Sequence, residues 1–237
     1  INKLSEHISF LPTIINTPEE AVLETKINKL RNSSIDKNIS IISRTYLWDL
    51  QKYTNILKQR NTAIKNRKNI EIWDILFIEN ALKIWSEKKR YNAILKNFLK
   101  NQNKNPKIEI KGIIDNKEEA LEELYKSKYK EIERGYTIIG PHRDKISYFL
   151  NNKEIKLNAS QGEKTLFYTL LKKGEAALMK DKLKQKEPII LLDDILSKLD
   201  EKNKKQTTML FKNNTQTIIT HTEKLNNTKI NQININD

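Results

Sequence analysis

The spacing of apolar and polar positions changes about half-way along the chain. From residue 27 to residue 103, apolar side chains recur every three or four positions, which is the spacing of one face of an α-helix. Two segments carry this pattern most clearly, Ile39 to Leu57 and Ile70 to Leu99, and the polar stretch Lys65 to Asn69 separates them. The pattern predicts an antiparallel pair of long helices, with the aromatic side chains of the second packed in a core.

Shorter elements flank the two long helices. Thr17 followed by Pro18 and two glutamates predicts the start of a helix. Lys107 to Ile114 alternates charged and apolar residues, as a half-exposed strand does. Asn116 to Arg134 predicts a highly charged helix with acidic residues in its first turn, where they suit the helix dipole.

After Gly135 the apolar runs become short and are separated by turn-forming residues. Pro188 precedes the run Ile189 to Leu192, a pattern typical of a strand buried on both faces in a parallel sheet. Three other places predict short strands or a hairpin: Tyr136–Ile139, Ile146–Leu150 with Ile155–Leu157 across an Asn-Asn turn, and Thr217–Thr220.

Two adjacent carboxylates, Asp193 and Asp194, end the Ile189 to Leu192 run. Carboxylates at the end of a buried strand are costly unless they face a cleft, a metal ion or a polar partner. In P-loop ATPases one acidic residue at this place holds Mg²⁺ and the next positions or activates the attacking water. The run alone leaves a second interpretation equally open, in which an Asp simply caps the next helix.

Ser160-Gln161-Gly162-Glu163 opens a predicted amphipathic helix that runs to about Met179. A Ser and a Gly at a helix N-terminus leave backbone N–H groups that can bind an anion. The simpler interpretation is a Ser cap with Glu163 completing a capping box. Taken alone, this segment favours the capping box.

Composition adds a charge argument. The 237 residues contain 44 Lys and Arg against 30 Asp and Glu, giving a net charge of +14 and favouring a polyanionic partner such as nucleic acid. The abundance of Lys, Asn and Ile is also what an AT-rich genome encodes. There is no Cys, no apolar run long enough to span a bilayer and no signal-peptide pattern, so we expect a cytoplasmic protein without disulfides. The first residue is Ile rather than Met, which suggests a fragment.

Four motifs follow one another in the second half of the chain: Ser160–Glu163, the carboxylate strand, Ser197-x-Leu199-Asp200, and a strand ending at His221. Their order is similar to the signature, Walker B, D-loop and switch His of ABC-type ATPase heads. With further matching strings, the whole chain resembles the RecF family, the bacterial DNA-repair ATPases of the SMC-like ABC group. The strings are Thr17–Glu20, Lys58–Asn61, Ile72–Asp74, Gly140–Asp144 and Leu191–Asp200.

The resemblance implies a fold and a domain organisation. The fold would be α/β, the C-terminal part of an ABC-type P-loop ATPase head with an inserted, mostly α-helical arm lobe. Residues 1–26 would end an N-terminal head segment. Residues 27–130 would form the helical arm, and residues 131–237 the C-terminal ATPase half.

The resemblance also implies roles for three residues around bound ATP. Asp193 would hold the Mg²⁺ of the nucleotide. Asp194 would occupy the place of the catalytic carboxylate, and His221 would reach the γ-phosphate.

Further roles involve a second subunit, because ABC heads hold ATP between two protomers. Ser160, Gln161 and Gly162 would contact the γ-phosphate of ATP held by the partner. Asp200 would bridge the interface of an ATP-dependent homodimer.

Members of the family hydrolyse ATP weakly, and this activity depends on DNA. By resemblance, the protein would bind single-stranded and double-stranded DNA and their junctions. It would work with RecO and RecR to load recombinase at gaps and support the SOS response. It would have no membrane partner.

The sequence also departs from the family pattern. No G-x-x-x-x-G-K-[ST] motif occurs in the 237 residues. Glu163 and Lys164 stand where the family usually has Gln and Arg, and Arg31 to Asp36 replaces the family's R-R-x-F-L-D. The main alternative is therefore a truncated or decayed relative that binds DNA without hydrolysing ATP.

A third hypothesis is a metal-dependent nuclease. It would be built on four residues without tight ligand spacing: Asp193, Asp194, His142 and His221.

Overall fold

The computed structural model describes residues 10–100, 102, 104–184, 187–210 and 216–222. Within these ranges, two small sheets pack against helices, and two 3₁₀ helices lie in the connections (Pro141–Arg143 and Ile195–Lys198). In chain order the elements are β1 (Thr13–Asn16), α1 (Pro18–Lys26), α2 (Asn28–Ile42), α3 (Arg44–Lys65), α4 (Glu71–Lys100), β2 (Lys107–Lys111), α5 (Lys117–Arg134), β3 (Lys145–Leu150), β4 (Lys153–Glu154), α6 (Ile155–Asn158), α7 (Gln161–Lys182), β5 (Ile189–Asp193), α8 (Glu201–Leu210) and β6 (Thr217–Thr220).

The parallel sheet positions the acidic pair. Its strand order is β1-β5-β6, and both pairings are parallel. The predicted apolar strand is confirmed as the middle strand, with Ile190 and Leu192 buried. Helix α7 packs against β1, and the amide of Asn16 donates to Thr169 of α7 at 3.3 Å. The carboxyl ends of the three strands therefore meet at one edge.

The predicted helix pair is confirmed as α3 and α4, which pack against each other, and Phe77 and Trp85 of α4 are completely buried. The prediction of one continuous helix across residues 39–57 was wrong. Ser43 adopts an extended backbone with φ −143°, and its hydroxyl accepts a hydrogen bond from the backbone N–H of Tyr46. This cap ends α2 and starts α3, because a capping hydroxyl satisfies a donor at the new helix start.

An antiparallel sheet joins the helical region to the second half of the chain. Strand β2 pairs with β3 along its whole length, from Lys107↔Phe149 to Lys111↔Lys145. The sheet therefore contains residues from both sides of the boundary predicted at residue 130. The helical region and the following segment are therefore connected by strand pairing as well as by the chain itself.

Two local predictions were wrong. Tyr136–Ile139 is not a strand, because its N–H groups at Thr137 and Ile138 donate to the side chains of Asn61 and Glu131 instead of to a neighbouring strand. The hairpin turn is confirmed, with Asn151 and Asn152 at φ 50° and 65°. Its second strand has only two residues, however, and the residues from Ile155 form α6.

No helix in the ranges given above combines the length and the hydropathy that crossing a bilayer requires.

Candidate functional site at the carboxyl edge of the parallel sheet

Asp193 is the last residue of β5 and is exposed at the edge of the sheet. The parallel register places it beside Thr220 of β6. The Thr220 hydroxyl donates to Oδ1 of Asp193 at 2.6 Å. This hydrogen bond fixes one carboxylate oxygen, and the exposure leaves the carboxylate accessible to a ligand at this edge.

Asp194 leaves the strand in a sharp turn. Its backbone is left-handed, with φ 46° and ψ 25°, a conformation that Asp tolerates better than most residues. Its N–H lies 3.2 Å from the Thr220 carbonyl and 3.1 Å from the Thr220 hydroxyl. Thr220 thus anchors both acidic residues, one through its carboxylate and the other through its backbone N–H.

The two oxygens of the Asp194 carboxylate have different surroundings. The Ser197 hydroxyl lies 2.9 Å from Oδ2. Oδ1 is buried, makes no hydrogen bond within the described part of the chain, and lies 3.7 Å from Nδ1 of His221. A buried carboxylate oxygen without a donor is costly, so Oδ1 is a place where a ligand or a water can be bound.

The helix-capping interpretation of Asp194 is not supported, since its side chain makes no capping hydrogen bond to the 3₁₀ helix that follows. No group of three or more acidic, His or Cys residues in the described ranges is close enough to hold a metal ion. A divalent cation here would therefore use Asp193 together with oxygens of a nucleotide, as Mg²⁺ does in phosphoryl-transfer sites.

His142 does not belong to this site. Its Nδ1 lies 2.6 Å from the Tyr53 hydroxyl, and its Nε2 lies 3.3 Å from the Thr137 carbonyl. Burial lowers its pKa to about 4. The structure does not bring His142 to Asp193 and Asp194, so the nuclease hypothesis has no geometric support.

The Gly140–Asp144 segment is held by the helical region. Gly140 has φ 127°, and a Cβ built on it would lie 2.7 Å from the Tyr53 hydroxyl and 2.9 Å from Phe77, so only Gly fits. The ammonium group of Lys88 donates to the Pro141 carbonyl at 3.1 Å.

Ser160 opens α7 with a complete capping box, as the simpler interpretation predicted. Its hydroxyl accepts from the N–H of Glu163 at 3.2 Å, and Glu163 accepts from the N–H of Ser160 at 2.9 Å. The backbone hydrogen bond lowers the pKa of Glu163. Ser160 and Gln161 are exposed and Gly162 is half-buried. The predicted anion contacts of these three residues stay predictions.

Asp200 caps α8. Its Oδ1 accepts from the N–H of Asn203 at 2.7 Å, and its Oδ2 accepts from the Asn203 amide at 3.0 Å. The side chain is exposed, and its predicted contact across an interface stays a prediction. In the described part of the chain, neither Ser160 nor Asp200 hydrogen bonds to Asp193 or Asp194.

The sequence pattern predicted that Asp193, Asp194, Ser197 and His221 belong to one site. It did not predict that Thr220 belongs there too. The available signal was its position at the end of a predicted parallel strand, because the ends of neighbouring parallel strands meet.

No family model matches the chain. A curated relative from Ruminiclostridium cellulolyticum, "DNA replication and repair protein RecF", is 32% identical over 249 aligned positions, covering 94% of this chain and 66% of the relative. The protein with the same name from Bacillus thuringiensis (strain Al Hakam) is 28% identical over 244 positions, covering 93% of this chain and 65% of the relative. The chain is RecF-like.

Two solved structures also support the RecF-like assignment. The structure of the recombination mediator protein RecF-ATP in the RecFOR pathway superposes with a TM-score of 0.78 and 25% identity, over 96% of this RecF-like chain and 66% of the solved one. The RecF-ATPrS structure gives a TM-score of 0.77 at 26% identity. The fold is that of the RecF ABC ATPase, with a parallel sheet and a helical lobe. The RecF-like chain spans slightly less than two thirds of these relatives.

Proposed function

We propose that this RecF-like chain is the ATP-hydrolysing part of a DNA replication and repair protein. The observation that carries the proposal is the cluster at the carboxyl edge of β5, where Thr220 anchors Asp193 and Asp194 and His221 lies beside them. The names of the curated relatives support it, as does the solved neighbour described as RecF-ATP.

In this proposal the chain's residues have separate tasks. Asp193 would hold the Mg²⁺ of bound ATP, and the ion would neutralise charge on the phosphate oxygens. Asp194 would orient the attacking water and accept its proton at Oδ1, the oxygen without a hydrogen bond in the described part of the chain. Ser197 would keep the other oxygen in place, and His221 would contact the γ-phosphate.

Two further surfaces would act on a partner subunit. Ser160, Gln161 and Gly162 would contact the γ-phosphate of ATP held by the partner, and Asp200 would contact the partner directly. Their exposure in the single chain is compatible with such contacts. Hydrolysis would then occur in a homodimer, because ABC heads hold ATP between two protomers.

The descriptions of the relatives support a proposal for the cellular task. The solved neighbours are described as a recombination mediator in the RecFOR pathway. We infer that this protein binds DNA at gaps and junctions and supports RecO and RecR in recombinase loading and the SOS response. Its net charge of +14 suits a polyanionic partner.

Substitution of the carboxylates tests the proposal. In the complete gene product that carries this chain, Asp193→Asn and Asp194→Asn should each lower the ATP hydrolysis rate by roughly 10²-fold or more, because metal binding and proton acceptance are lost. Asp181→Asn, an exposed site at the end of α7, is the matched control and should keep the wild-type rate. Unchanged hydrolysis in both site variants would contradict the proposal.

One sequence observation favours a second candidate, a DNA-binding relative that does not hydrolyse ATP. The 237 residues contain no G-x-x-x-x-G-K-[ST] motif, which supplies most of the phosphate cradle in P-loop ATPases. DNA binding by the wild-type gene product without any ATP hydrolysis would select this candidate.

A further inference from the structure

A large open groove lies on the side of α2 and α3, with the start of β3 and the 3₁₀ helix Pro141–Arg143 as its other wall. Its volume is about 1420 Å³. It is lined by none of the residues proposed above for ATP hydrolysis.

The groove is strongly cationic. Six basic residues line it: Lys29, Arg31, Lys37, Arg143, Lys145 and Lys156. Two acidic residues line it as well, and both have partners. The Tyr46 hydroxyl donates to Asp36 at 2.6 Å, the ammonium group of Lys88 lies 3.2 Å from Asp36, and the Ser147 hydroxyl donates to Glu154 at 3.3 Å. The groove therefore has an excess of positive charge that the chain itself offsets only in part.

Three of the lysines lie on separate secondary-structure elements around the groove. Lys29 lies on α2, Lys145 on β3 and Lys156 on α6, and all three are exposed. In the ranges that the structure describes, no carboxylate lies within 4 Å of their ammonium groups. Their charges are therefore directed towards solvent from several sides of one concave surface, which concentrates the positive potential there.

The apolar residues that line the groove indicate how a strand would be bound. Half-buried aliphatic residues contribute to the lining, among them Ile41, Leu50 and Leu57, and no Phe, Tyr or Trp lines the groove. Stacking of unpaired bases needs aromatic or similar planar side chains. The charge of the groove suits phosphates, and its lining offers no Phe, Tyr or Trp on which bases could stack.

We propose that this groove binds the phosphodiester backbone of DNA, without reading its sequence. The proposal rests on the function proposed above and adds the surface that DNA contacts. An acidic protein segment is the other polyanion that could use such charges, and the experiment below separates the two.

The test neutralises three groove lysines together, as Lys29→Gln, Lys145→Gln and Lys156→Gln, in the complete gene product. The matched control replaces Lys96, Lys100 and Lys130, which are exposed and lie outside the groove, and changes the net charge equally. Fluorescence polarisation with a labelled duplex of about 30 base pairs gives the dissociation constant from about 50 to 200 mM salt. Each lost phosphate contact should lower the slope of log K against log[salt] by about 0.9.

The groove variant should bind the duplex at least tenfold more weakly, with a slope reduced by about 2 to 3. The control variant should bind within about twofold of wild type, and both should keep wild-type circular dichroism. Equal weakening in the two variants would overturn the groove as the contact surface while leaving DNA binding intact. Loss of poly-glutamate binding in the groove variant with unchanged duplex binding would assign the groove to an acidic protein. If the wild-type protein does not bind the duplex, this inference is refuted because DNA binding itself is absent. The proposed ATP hydrolysis is tested separately and is not affected by that result.

Discussion

Among single residues, Glu24 lies in an unusual position for an acid. Its side chain is buried and its Oε2 makes no hydrogen bond in the described part of the chain. Burial, together with the neighbouring carboxylates Glu175 and Glu20, raises its pKa from 4.5 to about 7. The ammonium group of Lys172 opposes this effect without cancelling it. The folded protein therefore keeps a proton on Glu24 at a pH where the unfolded chain has lost it.

This predicts that the folded state loses stability as the pH rises through 7. Between pH 4.5 and 7 the folded state binds the additional proton, so the free energy of unfolding falls with rising pH. From about pH 6.5 to 8.5 the Glu24 contribution should fall by about 1 kcal/mol. Glu24→Gln should flatten this dependence and be more stable than wild type at the upper end of this range. Urea unfolding at several pH values measures it.

The matched control for this prediction is Glu19→Gln, an exposed neighbour that should leave the pH dependence unchanged. The measurement stays above about pH 6.5 because His142, whose pKa is lowered to about 4, has the opposite effect below that value. A wild-type unfolding free energy that does not change across the measured range would contradict the role of Glu24.

The residues of the candidate site could be predicted because their types and order are unusual. An acidic pair after an apolar run is visible in the sequence, as is a His after a short strand. The left-handed turn at Asp194 and the anchoring by Thr220 were not predictable, since both depend on the pairing of β5 with β6. A capping box, by contrast, is local and could be predicted at Ser160.

Among the elements, three helices are connected by one buried arginine. Arg60 of α3 lies 2.9 Å from Asp74 of α4 and 2.7 Å from Glu131 of α5, and it donates to the Thr137 hydroxyl at 2.7 Å. Only 1% of its side chain is exposed. Its planar group satisfies two carboxylates that would otherwise be buried without a cation.

Arg60→Met should therefore lower the free energy of unfolding by about 3 to 5 kcal/mol, because it leaves two buried carboxylates uncompensated. Adding Asp74→Asn and Glu131→Gln should restore part of the loss, since the buried charges are then removed. Lys83→Met, in the exposed pair with Asp49, should cost less than about 1 kcal/mol. Urea unfolding compares the variants, and equal losses for Arg60→Met and Lys83→Met would refute the argument.

The long helices could be predicted because their apolar spacing repeats over many turns. The break at Ser43 could not, because the helical spacing continues across it from Ile39 and Ile42 to Tyr46. The false strand at Tyr136–Ile139 has a related cause. Its apolar run suits a strand, but side chains on α3 and α5 take the N–H groups that a sheet would use.

In the whole molecule, the carboxylate pair and the exposed start of α7 belong to one chain but share no hydrogen bond in its described part. If each nucleotide site combines the carboxylates of one protomer with Ser160 of its partner, the symmetric dimer contains two equivalent sites. A defect in one protomer's carboxylates and a defect in the other's Ser160 would then fall on the same site. The second site of that mixed dimer would be intact.

Mixing two inactive variants of the complete gene product should therefore restore ATP hydrolysis. Asp194→Asn and Ser160→Arg should each be inactive alone, and an equimolar mixture should regain about a quarter of the wild-type rate, since half of the dimers are mixed and each has one intact site. A mixture of Asp194→Asn with Asp193→Asn is the control and should stay inactive, because both defects affect carboxylates. Hydrolysis assays after subunit exchange measure this. If the Asp194→Asn and Ser160→Arg mixture stays inactive although exchange is shown by a labelled subunit, both surfaces serve the same protomer's nucleotide and the shared site is refuted.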